Sequence, residues 1–218
     1  MDARKLQWRG EILYARIAPI FVLATLLLSA PLAQAVPITI EITGNVTHIG
    51  GYNAPDTIHE GSNFTGTYTY NSSTIDSGGG TYQHDSPYGF NILIEGYEFK
   101  TVPSHIGQFV ISIWDNHVNY SGVVFDEYLV KSYENSPLSN GVLVDEIRLI
   151  LVDFTHTALS SSALPATPPA LNEWGTKSLQ IYGPGNSLSI QGTITQAVPE
   201  PLTGVLMLIG VLFFRRRR

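Results

Sequence analysis

Between residue 36 and residue 196 this sequence alternates. In "VPITIEITGNV" the residues Val36, Ile38, Ile40, Ile42 and Val46 share one parity, and Thr39, Glu41, Thr43 and Asn45 hold the other. "FTGTYTY" sets Phe64, Tyr68 and Tyr70 against Thr65, Thr67 and Thr69. "LSIQGTIT" sets Leu188, Ile190 and Ile194 against Ser189, Gln191, Thr193 and Thr195. A period of two marks strands buried on one face. The many β-branched and aromatic residues suit a pleated surface.

Other runs extend the pattern. "GFNILIEGYEFKTV" switches parity at Glu95-Gly96, as a two-residue hairpin turn requires. "QFVISIWD", "NHVNYSGVVF" and "KSLQIYG" read as further strands, punctuated by Gly, Asn and Pro. "VLVDEIRLILVDF" alternates less cleanly, and a helix over 142–152 competes there. Its β-branched content favours a central strand. About eight to ten strands without an ordinary amphipathic helix predict an all-β fold, an antiparallel sandwich or jelly roll.

Two stretches break the alternation. Residues 71–89, "NSSTIDSGGGTYQHDSPYG", form a polar, glycine-rich excursion, and 155–172, "THTALSSSALPATPPALN", are small-residued and proline-rich. Strand patterns continue on both sides of each, so one domain spans 36–196. The absence of cysteine rules out disulfides and thiolate metal sites.

Charge separates the ends from the middle. Residues 36–214 keep four of the twelve bases against sixteen of the eighteen acids, a net of −12. A nucleic-acid partner needs clustered Lys and Arg, so this balance argues against one. The N-terminal segment is basic, and the apolar "IAPIFVLATLLLSA" follows it. Ala33-Gln34-Ala35 then offers small residues for cleavage before Val36, so 1–35 reads as a secretory signal peptide cut by signal peptidase. At the other end, "LTGVLMLIGVLFF" precedes Arg215, Arg216, Arg217 and Arg218. Thirteen helical residues extend only about 20 Å, but snorkelling arginines lengthen the effective span. Arginines kept on the cytoplasmic side leave the acidic middle outside, and the basic leader demands the same topology.

Val198-Pro199-Glu200-Pro201, a short apolar helix and an arginine cluster, in that order, resemble the PEP-CTERM sorting signal. The resemblance covers 197–218. It implies that Pro199, Glu200 and Pro201 form the recognition element of an exosortase, with Arg215–Arg218 as stop signal. It further implies export across the inner membrane of a Gram-negative bacterium and transient anchoring. Cleavage near the motif and transfer to the cell surface or extracellular matrix would follow, in association with extracellular polysaccharide. The residues before the motif read as a strand-like tail, which leaves the processing enzyme little slack.

Chemistry-bearing motifs are scarce. His48, His59, His84, His105, His117 and His156 are scattered, with no H-E-x-x-H spacing and no G-x-S-x-G elbow. "HDSP" at 84–87 places triad residue types side by side, but triads assemble in space. Asp126-Glu127, Asp145-Glu146 and Asp153 are acidic clusters, and Asp76 with Asp85 offers oxygen ligands for Ca²⁺. Solvated acids explain these better, and no cofactor is expected. Asn45, Asn63, Asn71 and Asn119 begin N-x-[ST] triplets that chance explains. Tyr82, Tyr88, Trp114, Tyr120 and Trp174, in or near loops, have faces suited to sugars. The expectation is a noncatalytic structural or adhesive surface protein. The alternative is an exported carbohydrate-binding module or carbohydrate-active enzyme.

Overall fold

A computed structural model describes residues 37–200, apart from Pro103, His105 and Pro168. The signal helix expected over 1–35, with Ala33, Ala35 and Val36, lies outside the described residues. So do Pro201, the expected C-terminal helix and Arg215–Arg218. Among the described residues no helix is long and apolar enough to cross a membrane.

The fold is all-β and antiparallel. Its strands are β1 (Pro37–Gly50), β2 (Asn63–Asn71), β3 (Thr81–His84), β4 (Gly89–Ile94) and β5 (Tyr97–Lys100). They continue as β6 (Phe109–Val118), β7 (Val124–Ser132), β8 (Glu146–Asp153), β9 (Thr176–Tyr182) and β10 (Ser189–Pro199). All belong to one sheet in the order β3-β6-β7-β8-β9-β10-β1-β2-β4-β5. A meander from β6 to β10 thus returns to pair with β1, which places the first and last strands side by side within the sheet.

The sheet curls. Phe90 of β4 packs edge-on against Phe109 of β6 at 5.6 Å between centroids, and the Tyr68 hydroxyl of β2 lies 3.4 Å from that of Tyr128 on β7. Just past β5, Thr101 bridges Asn135, and the Val102 N–H donates to the Glu134 carbonyl at 2.9 Å. These groups belong to strands far apart in the sheet order, so only curvature brings them together. The alternating apolar residues meet inside: Ile40, Ile42, Phe64, Tyr68, Tyr70, Ile190 and Ile194 are buried. Each of the isoleucines and the phenylalanine contributes about 1.5–3 kcal/mol on burial.

Phe64 shows how the sequence accommodates the curl. A β-carbon on Gly44 would stand 2.4 Å from its ring, and one on Gly192 would stand 2.7 Å away. Two glycines on adjacent strands therefore make room for one phenylalanine. The Glu95-Gly96 hairpin forms as its parity switch requires, with φ of 46° and 83°. Two positive φ values are what a type I′ turn needs.

Several expectations need correction. The central strand expected over the run near 142–152 is present, but it begins only at Glu146 and ends at Asp153. The excursion at 71–89 contains β3, whose Tyr82 and His84 point inward among polar neighbours. "QFVISIWD" and the start of "NHVNYSGVVF" are one strand, β6, with a register shift between Trp114 and His117. The second half of β7 was not anticipated, because Asp126 occupies an inward position where an apolar residue belongs. Finally, β10 runs past residue 196 through Ala197, Val198 and Pro199.

Candidate functional site

Of the Val198-Pro199-Glu200-Pro201 stretch, Val198 and Pro199 end β10 and Glu200 follows it directly. Ala197, Val198 and Pro199 pair with Ile42, Glu41 and Ile40 of β1, and the Glu200 N–H donates to the Thr39 carbonyl at 3.0 Å. Backbone groups alternate sides along a strand, so the Pro199 nitrogen faces away from β1. Its missing N–H costs that pairing nothing. A register shift after Thr43 leaves Thr195 as an extra residue, with its hydroxyl on the Thr43 carbonyl at 3.2 Å. The pairing with β9 stops at Thr193, so beyond it β1 is the one strand partner among the described residues. Val198 is half-buried, whereas Pro199 and Glu200 are exposed. Val198 and Pro199 are thus extended, paired with β1 on one edge and with no strand on the other among the described residues.

The long segment 155–172 is a strap tied at several points. Asp153, at the end of β8, accepts the Thr155, Thr157 and Ala158 N–H groups at 2.8, 2.9 and 3.2 Å, and the Thr155 hydroxyl as well. The Thr157 N–H above all, helped by these other donors, holds its carboxyl down to about 2. Its cross-strand partner Asp126 accepts from Asn116 N–H at 2.8 Å and Leu159 N–H at 2.9 Å. Farther along, Tyr82 donates to the Ser162 carbonyl at 2.8 Å and Tyr70 to the Pro165 carbonyl at 2.6 Å. Asp126 and Asp153 are the carboxylates buried among the described residues. Their oxygens serve backbone and hydroxyl donors, so they are structural.

The other candidates divide. Asp76 accepts N–H groups from Gly78, Gly80 and Thr81, which lower its pKa, the Gly78 bond most. It shapes the turn into β3. Among the described residues no group of three or more His, Asp or Glu side chains is placed to hold a metal ion. His84 of "HDSP" points into the core between Tyr70, Tyr88 and Phe109, away from exposed Asp85 and Ser86. Burial lowers its pKa, and its Nδ1 has no hydrogen-bond partner. Tyr82 and Trp174 are buried, contrary to the expectation of exposed sugar-binding rings, and Tyr88 is half-buried. Trp114 is half-buried and Tyr120 fully exposed.

One groove was not visible in the sequence. It holds about 550 Å³ and is lined by Val102, Tyr133, Glu134, Asn135, Leu143 and Asp145 among others. It joins the end of β7 to the residues after β5, and only curvature of the sheet assembles it. Glu134 accepts from the Ser104 hydroxyl at 3.0 Å, so part of its carboxylate is already engaged. No protein-family model, curated protein or solved structure matches this chain.

Proposed function

We propose that this is an exported cell-surface protein, tethered through residues 202–218 and processed by an exosortase at Val198-Pro199-Glu200-Pro201. Its β-domain, read as a sandwich from the approach of β2 and β4 to β7 and β6, serves a noncatalytic structural or adhesive role near extracellular polysaccharide. The order of motif, apolar run and arginines carries this reading. The exposure of Pro199 and Glu200 at the end of β10 supports it, because a processing enzyme must reach an extended backbone.

The test changes Pro199, Glu200 and Pro201 together to alanine in the organism that makes the protein. Export should persist, and an immunoblot should show a larger, membrane-retained form in place of the mature one. Normal trimming of the triple variant would overturn the sorting reading. A second reading, a glycan-binding module, is favoured by the groove of Tyr133, Asn135 and Asp145. Glycan-array binding that is lost with Tyr133→Ala would support it.

A further inference from the structure

Antiparallel pairing fixes which loops share an end of the sheet. The chain leaves β10 at Pro199, beside the start of β1. At that same end β9 begins at Thr176, opposite Val152 near the end of β8. Asp153 then faces Asp126 near the start of β7, and Val124 faces Val118 at the end of β6. The hairpin tip 119–123, Phe154 and the departing chain therefore lie at one end. Tyr52, in the loop after β1, lies at the other.

The exit end carries exposed apolar side chains. Tyr120 at the tip is fully exposed, and Phe154, Val118 and Val123 are 61%, 56% and 43% exposed. Behind them runs a string of rings on the outer face. Trp114 stacks on His117 at 5.1 Å, His117 meets Phe125 at 5.3 Å, and Phe125 meets Phe154 at 6.1 Å. Exposed apolar side chains gathered at one end of a fold are a candidate interaction surface.

Two observations select the partner. Only Pro201 separates Glu200 from the apolar run 202–214. At about 3.3–3.6 Å per residue, that link keeps the exit end within roughly 10 Å of wherever the run inserts. Four strand spacings of about 4.7–4.9 Å put β6 roughly 20 Å along the sheet from β10. The second observation concerns the rings. One face of Trp114 is covered by His117, and Val118 and Val123 offer no hydrogen bonds to sugar hydroxyls. An aromatic and aliphatic rim suits the boundary between headgroups and acyl chains.

We propose that this end of the fold docks on a lipid bilayer, with Tyr120, Val118, Val123 and Phe154 entering its interfacial zone. The inference rests on the reading of 202–214 as a membrane segment. Docking would orient the domain with the Tyr52 end outward and fix the height of Val198–Glu200 above the membrane.

The chain has no cysteine, so Tyr120→Cys and Tyr52→Cys each create a single labelling site. Both positions are exposed, at 112% and 78%, so a dye there leaves the core intact. Residues 36–218, the chain left once the leader is removed, carry an environment-sensitive dye and are reconstituted in phosphatidylethanolamine–phosphatidylglycerol vesicles containing brominated lipid. Dye at 120 should shift to the blue and be quenched several-fold more than dye at 52. Equal quenching at the two sites, in a chain that resists carbonate extraction, overturns docking while the tether stands. Extraction of the chain by carbonate overturns the tether itself. Protection of the dye at 120 by soluble polysaccharide, without vesicles, would assign the surface to a glycan and overturn the proposal.

Discussion

Asp153→Asn removes a charge without changing shape, and its effect follows from the bonds that Asp153 accepts. In the parent, the two carboxylate oxygens receive three backbone N–H groups and the Thr155 hydroxyl. An asparagine keeps one oxygen and turns an NH₂ group towards donors. Hydrogen bonds to a charged group contribute about 1.5–3 kcal/mol each, and donors left without partners add to the loss. Allowing for their non-additivity, the variant should lose about 2–4 kcal/mol at pH 7. For a domain of this size that lowers Tm by roughly 5–15 °C. The effect has a pH signature. The folded carboxyl titrates near 2, below its ordinary 3.8, so its stabilisation is complete above the ordinary value and is lost as pH falls through the folded one. Calorimetry of residues 36–200, parent and variant, should show the gap in Tm at pH 7 shrinking by pH 2.5. An unchanged Tm at pH 7, or a gap as large at pH 2.5, would refute the strap's dependence on an ionised Asp153.

Two other predictions follow from the same geometry. Burial lowers the His84 pKa, so the unfolded chain takes up the proton first; stability should fall as pH drops below about 6.5, and His84→Leu should flatten urea midpoints between pH 7 and pH 5. A chain ending at residue 196 lacks the pairs made by Ala197, Val198 and Pro199 with β1, so it should melt below one ending at residue 200, with faster amide exchange at Glu41; equal melting would mean that the motif's pairing adds no stability.

Much of the sheet was legible because its periodicity is a local property. Ile40, Ile42, Tyr68, Tyr70, Ile190 and Ile194 declare their inward face by spacing alone, and the parity switch at Glu95-Gly96 declares its turn. Legibility failed where an inward position is polar. Asp126 and His84 sit at buried places that alternation assigns to apolar residues, so β3 and the second half of β7 were obscured. Their partners, the Leu159 N–H and the rings of Tyr70 and Phe109, are remote in sequence. Trp174 and Tyr82 failed in the opposite sense, since proximity to a loop says nothing of whether that loop folds back over the ring.

What the sequence by itself determined is the all-β class, the inward face of most strands, and the order of motif, apolar run and arginines. Each depends on neighbours within a few residues. The tertiary structure alone decided the sheet order, the return of β10 to β1 and the pairing of Val198–Glu200 with Thr39–Glu41. It also decided that Tyr120, Phe154 and the departing chain share one end. Strand alternation specifies which face a residue takes but not which strand lies beside it. That choice is made by non-local terms: the curl that brings Tyr68 to Tyr128, and the space that Gly44 and Gly192 leave for Phe64.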